Sequence, residues 1–203
     1  HKVFMNAGGY SLEFDCNADT HYDAGGLGRV HKQNCDPRVC LSVPFPCGEP
    51  NYKLETPNKH PLSICCFKNT DYGIVCSAQE GIKHTLTSKA ESEEHCSAIF
   101  QCTLNSEPLF VEKYTVSSTG VDIEFCGADG ILFPAFLFDG VKETEIIVSN
   151  GQIIVKYNGS FCKYEFSGEP SDYGVFFNRN GRYRAFKINT HKLHIEIGDI
   201  NEF

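Results

Sequence analysis

Eleven cysteines sit in 203 residues, and nine of them precede residue 112. The early ones are Cys16, Cys35, Cys40, Cys47, Cys65, Cys66, Cys76, Cys96 and Cys102, and only Cys126 and Cys162 follow. Such density suits an oxidising compartment, where disulfides persist, rather than a reducing cytosol. The expected location is therefore secreted and extracellular. The asymmetry divides the chain into a stapled first half and a second half held together mainly by packing. An odd count leaves at least one thiol unpaired or bonded to another molecule. The simplest partition joins Cys126 to Cys162 and leaves four pairs and one odd cysteine before them. Cys65 and Cys66 are adjacent. On a strand they point to opposite faces and bond different partners.

A metal reading of the same cysteines is weaker. Cys35, Cys40 and Cys47 have His21, His31 and His60 near them in sequence. Structural zinc sites usually show tight C-x2-C pairs, and this chain has none. No cofactor and no metal are expected.

Composition narrows the class further. The chain is 41% hydrophobic and 22% charged, which is globular rather than disordered. Residues 1–112 carry 14 acidic against 9 basic side chains, and residues 113–203 carry 12 against 9. Neither half has the basic surplus of a nucleic-acid binder. The longest apolar run, Ile131 to Phe138, is eight residues and contains Pro134. A membrane span needs roughly 20. The first residues, HKVFMNAGGY, read as the start of a mature form.

Local patterns predict an α+β first domain over 1–110 and an all-β antiparallel sandwich, or jelly-roll-like, domain over 111–203. In the first half, strands are expected at Tyr10 to Cys16, Arg38 to Val43, Leu62 to Phe67 and Gly73 to Ser77. Gly25-Gly26-Leu27-Gly28 reads as a turn. Pro44, Pro46, Gly48, Pro50 and Pro57 mark a loop-rich stretch, with 44–60 a candidate recognition loop. Ser88-Lys-Ala-Glu91 has the form of a capping box, and a helix is expected through Phe100. The second half alternates apolar and polar residues between three Asn-Gly pairs, at 150, 158 and 180. Asn-Gly favours hairpin turns in which both central residues take positive φ.

Chemical motifs are few. Asn158-Gly159-Ser160 is a glycosylation sequon on a predicted hairpin tip, which makes Asn158 a candidate acceptor. Arg179, Arg182, Arg184 and Lys187, with Tyr183 between them, cluster around Asn180-Gly181. Arg179, Arg182, Tyr183 and Arg184 form a candidate partner-binding patch for a phosphate, a sulfated glycan or an acidic partner surface. His191 and His194 are three apart on a predicted strand and point to opposite faces, so joint ligation is not expected. No G-x-S-x-G, H-E-x-x-H or P-loop is present. A cysteine nucleophile needs a positioned base, and no signature of one surrounds any cysteine. An enzyme is not expected.

The cysteines from Cys16 to Cys102 and the strand-rich segment from Phe110 to Ile197 resemble the dual-domain, cysteine-rich secreted effectors of plant-pathogenic fungi. That resemblance implies a non-enzymatic virulence protein acting on a host or other extracellular protein in a plant. The alternative is an animal extracellular lectin-like or receptor-binding β-sandwich. The absence of tryptophan, a frequent sugar-stacking residue, weighs against a sugar platform.

Overall fold

The computed structural model describes residues 2–47 and 58–202, and these form sixteen strands and one terminal 3₁₀ turn. Among the described residues no helix is long and apolar enough to cross a membrane. The strands make three antiparallel sheets. The smallest contains β1 (Lys2–Ala7), β2 (Tyr10–Asp15) and β3 (Gly26–Lys32) in that order. The second uses β4 (Cys65–Thr70), β5 (Gly73–Cys76), β10 (Gly130–Phe138), β14 (Ser171–Asn178) and β15 (Gly181–Ile188), in the order β14-β15-β10-β4-β5. The largest holds β6 (Ile82–Glu91), β7 (His95–Leu104), β8 (Glu107–Ser117), β9 (Gly120–Cys126), β11 (Glu145–Ser149), β12 (Gln152–Tyr157), β13 (Ser160–Glu165) and β16 (Lys192–Asp199). Its order is β11-β12-β13-β16-β9-β8-β7-β6.

One continuous core joins the sheets. Phe14 of β2 stacks on Phe100 of β7 at 3.7 Å between centroids and meets Tyr114 of β8 edge-on at 5.4 Å. Phe133 of β10 lies 4.6 Å from Tyr164 of β13, and Phe136 of β10 lies 4.8 Å from Tyr157 of β12. The two smaller sheets therefore cover one face of the eight-stranded sheet. An isolated bridge, Leu27 to Ile64, links them to each other. Two packed β-layers with interleaved inner side chains make a sandwich.

The α+β expectation for the first half is not met. The segment expected to be a helix is the β6–β7 hairpin, turning at 92–94. Cys96, Ala98, Phe100 and Cys102 are all buried, and the residues between them are not. That period of two is a strand pattern, and helix propensity is a weak prior that tertiary pairing overrides. Ser92 closes the hairpin, its hydroxyl donating to the His95 carbonyl at 3.0 Å. Two smaller readings also change. Gly26-Leu27-Gly28 begins β3 instead of turning, and 38–43 is irregular chain rather than a strand. The boundary expected between residues 110 and 111 falls inside β8, and the eight-stranded sheet runs across it. β10 likewise pairs with β4 from the first half.

The second half follows its pattern closely. The turn between Tyr157 and Ser160 has Asn158 at φ 50° and Gly159 at φ 81°, both positive as Asn-Gly predicts. In the β14–β15 hairpin the outermost pair is Asn178 with Gly181, so Arg179-Asn180 makes the turn and Asn-Gly is displaced by one. Pro134 sits within β10, but β4 pairs with that strand only as far as Leu132. The proline lies where the strand has an open edge, which sheets tolerate.

Candidate functional site

The basic hairpin is only partly available. Tyr183 is fully buried, its ring 4.9 Å from Phe45 and 5.0 Å from Phe136. Two guanidinium nitrogens of Arg184 reach Asp172 Oδ2, at 2.7 and 2.9 Å, and the group lies over the Phe186 ring. Strand alternation alone dictates the inward turn of Tyr183. Arg179 and Arg182 remain exposed, with Arg182 over Phe138. The patch thus reduces to two arginines at the tip. The Pro-rich stretch cannot be compared in the same way, because 48–57 lie outside the described residues.

Asn158 is exposed at its hairpin tip, as expected of a sequon. Its amide nitrogen donates to Asp36 Oδ2 at 2.8 Å, and the neighbouring Ser160 hydroxyl accepts the Asp36 backbone N–H at 2.8 Å. Asp36 also takes two bonds from the Arg38 side chain, at 2.8 and 3.0 Å. Burial opposes ionisation of this carboxyl. The bonds from Arg38 and Asn158 outweigh it and bring the pKa down to about 2.

No two of the eleven cysteines are joined at disulfide distance. Two pairs nevertheless lie thiol against thiol in the core: Cys40 with Cys162, and Cys65 with Cys76. The pairing expected between Cys126 and Cys162 is not the one the fold brings together. Cys126 is exposed at the end of β9, whereas Cys162 is buried in β13 beside Cys40 and within reach of Tyr164. The strand alternation that hides Cys162 could not reveal which distant loop would cover it.

A surface depression of about 440 Å³ lies over β8, β9 and β16. Its charges neutralise one another. Glu124 faces Lys192 at 2.8 Å and Lys113 at 3.7 Å, and His194 meets Asp122 at 2.8 Å.

The most unusual group of side chains is internal. β6, an edge strand, buries a single residue, His84. Its ladder partner on β7 is Cys102. On β8, alternation turns Phe110, Glu112, Tyr114 and Val116 inward, so a carboxylate lies among apolar groups. His84, Cys102 and Glu112 each present a donor atom, and the three atoms lie within 4.8 Å of one another. His84 Nε2 is 4.0 Å from Glu112 Oε2. Tyr114 donates to Oε2 of the same carboxylate at 2.9 Å, and the Cys66 thiol of β4 approaches Oε1 at 3.8 Å. Neither ring nitrogen of His84 has a hydrogen-bond partner, and the buried Ser63 hydroxyl has none. Burial pulls the His84 pKa down against the opposing pull of Glu112. Burial and the same carboxylate push the Cys102 and Cys66 thiols up.

Sequence reading missed this group. A helix over 88–100 hides the register that sets His84 opposite Cys102. The available signal was the lone histidine at an inward position of a polar strand. No family model matches this chain, and no curated protein or solved structure matches it either.

Proposed function

We propose that this chain is a secreted, non-enzymatic binding protein on a disulfide-clamped β-sandwich, and specifically an effector that engages an extracellular protein of a plant host. The observation that carries the reading is the pair of buried thiol contacts. Cys40 and Cys162 come from segments 122 positions apart and meet in a fully buried place. Cys65 and Cys76 meet across the β4–β5 hairpin. In an oxidising compartment each contact closes into a crosslink, which suits a small scaffold that must keep its surface loops in place outside the cell. The exposed Arg179 and Arg182 at the β14–β15 tip are the proposed contact with an acidic partner surface.

Two measurements test the reading. Peptide mapping under non-reducing conditions, on protein expressed through a secretory pathway, should find Cys40 linked to Cys162 and Cys65 linked to Cys76. If all four are free thiols there, the extracellular assignment fails. Capture from plant apoplastic fluid is then compared between the intact protein and the Arg179→Glu/Arg182→Glu variant. A partner retained by the first and lost by the second, with the difference shrinking at high salt, supports the hairpin as the contact. Equal capture by both removes the hairpin from the proposal.

A further inference from the structure

We propose that His84, Cys102 and Glu112, with Cys66 as fourth ligand, form a structural binding site for a divalent transition-metal ion of the zinc class, at the junction of the three sheets. The inference is independent of the binding function. The protein can bind a partner without the metal, or hold the metal without a partner.

Four observations converge on it. The donors of His84, Cys102 and Glu112 come from consecutive strands β6, β7 and β8 and lie within 4.8 Å of one another, and Cys66 of β4 approaches this group from the covering sheet, its sulfur 3.8 Å from Glu112 Oε1. They are imidazole, thiol and carboxylate, the set that zinc takes in tetrahedral sites. His84 is 3% exposed and both its nitrogens lack partners, a costly arrangement for a buried ring unless something binds there. Glu112 is 1% exposed and, besides His84, has the neutral Tyr114, Cys66 and Cys102 groups against it. A buried carboxylate of this kind calls for a cation.

Space and access fit as well. A side-chain carbon at Gly26 would stand 3.5 Å from His84 Nε2 and 3.8 Å from the Ser63 hydroxyl, and one at Gly25 would stand 3.3 Å from the ring. The diglycine therefore leaves room beside the imidazole that any other residue would fill. A cavity of about 150 Å³ reaches His84 from the surface, and Asp19 and Glu80 line it. Those carboxylates draw a cation inward. Bonds of ~2.0–2.3 Å to a tetrahedral ion place neighbouring donors about 3.3–3.8 Å apart. The 4.0 Å between His84 Nε2 and Glu112 Oε2 needs only a small contraction, while Cys102, within 4.8 Å of both, and Cys66, 3.8 Å from the other oxygen Oε1, must move further to close the site. On binding, each thiol gives its proton to solvent and a sulfur lone pair to the ion. Tyr114, bonded to Glu112, orients the carboxylate from outside the ligand set, as metal sites commonly require.

The test uses the full chain, with Cys66 and Cys102 verified as reduced by mass after alkylation. Zinc analysis of protein purified without chelators should find one ion per chain. Cobalt added to the stripped protein should give a thiolate-to-metal charge-transfer band and tetrahedral visible absorption. His84→Phe keeps a ring against Phe14, 5.2 Å away, and should weaken cobalt binding by more than the roughly 10–100-fold that loss of an outer partner costs. Glu112→Gln keeps an acceptor for Tyr114 and should weaken it likewise. Circular dichroism establishes that each variant is folded. Should a variant not fold, the cobalt spectrum and stoichiometry of the parent protein decide alone. A chain with reduced Cys66 and Cys102 that binds neither zinc nor cobalt overturns the proposal. So does a disulfide between those two cysteines, or a folded His84→Phe variant with unchanged affinity.

Discussion

Tyr183 and Arg184 are neighbours in sequence and opposites in energetics. Tyr183 fills the space between Phe45 and Phe136. Tyr183→Ala should cost about 3–5 kcal/mol, read from the urea midpoint, because a large ring leaves a cavity that its neighbours cannot close. Arg184→Ala removes a solvent-accessible ion pair with Asp172 and should cost about 1 kcal/mol or less. Asp36 sets a pH dependence of its own. Its pKa is held down to about 2, against an ordinary value of 3.8. A depressed carboxyl stabilises the fold above its unfolded pKa, and that stability is lost as the pH falls through the folded value. The stability difference between the parent protein and Asp36→Asn should therefore be constant above about pH 5 and shrink between about pH 4 and 2. Urea unfolding across that range measures it.

Elements here are set by turns as much as by strands. Gly159 has a positive φ with open space around it, whereas a carbon on Gly181, at φ 133°, would stand 2.0 Å from the Phe138 carbonyl oxygen. Gly159→Ala should cost about 1–2 kcal/mol, the ordinary left-handed penalty. Gly181→Ala should cost clearly more, because the β14–β15 turn and the Phe138 bulge must both move. Comparing the two urea midpoints checks the ordering. β6 shows how an element can be misread. Its residues after His84 are all exposed, so it has no apolar alternation to announce it. It is a strand because β7 lies beside it to pair with, and its polar surface suits an edge that must not recruit another chain.

At the scale of the molecule, the sandwich is closed by contacts between segments remote in sequence. Tyr10 of β2 donates its hydroxyl to the Ile197 carbonyl and accepts the Ile197 N–H, at 3.2 and 2.9 Å. The Cys40–Cys162 contact joins the loop after β3 to the middle of the largest sheet. Once oxidised, that crosslink should contribute about 5 kcal/mol through the loop it closes, and Cys65–Cys76 about 3 kcal/mol. Denaturation of the Cys40→Ser/Cys162→Ser and Cys65→Ser/Cys76→Ser variants should fall in that order.

The sequence by itself determined most of the strands from Val121 onward, because period-two alternation and Asn-Gly turns are local signals, whereas β10, buried along seven consecutive residues, takes both its partners from remote segments. It also determined the cysteine richness and the exposed sequon at Asn158. Tertiary structure decided the rest. Cys96 to Cys102 became a strand through pairing with β6 and β8, against the helix formers around them. Cys162 met Cys40, because a side chain's burial is readable from alternation while the identity of what covers it is not. The hairpin arginines divided into exposed and paired ones only when Asp172 arrived across the ladder. His84, Cys102 and Glu112 converge for the same reason. Each is an inward residue on its own strand, and only the register of three strands places their donor atoms around one point.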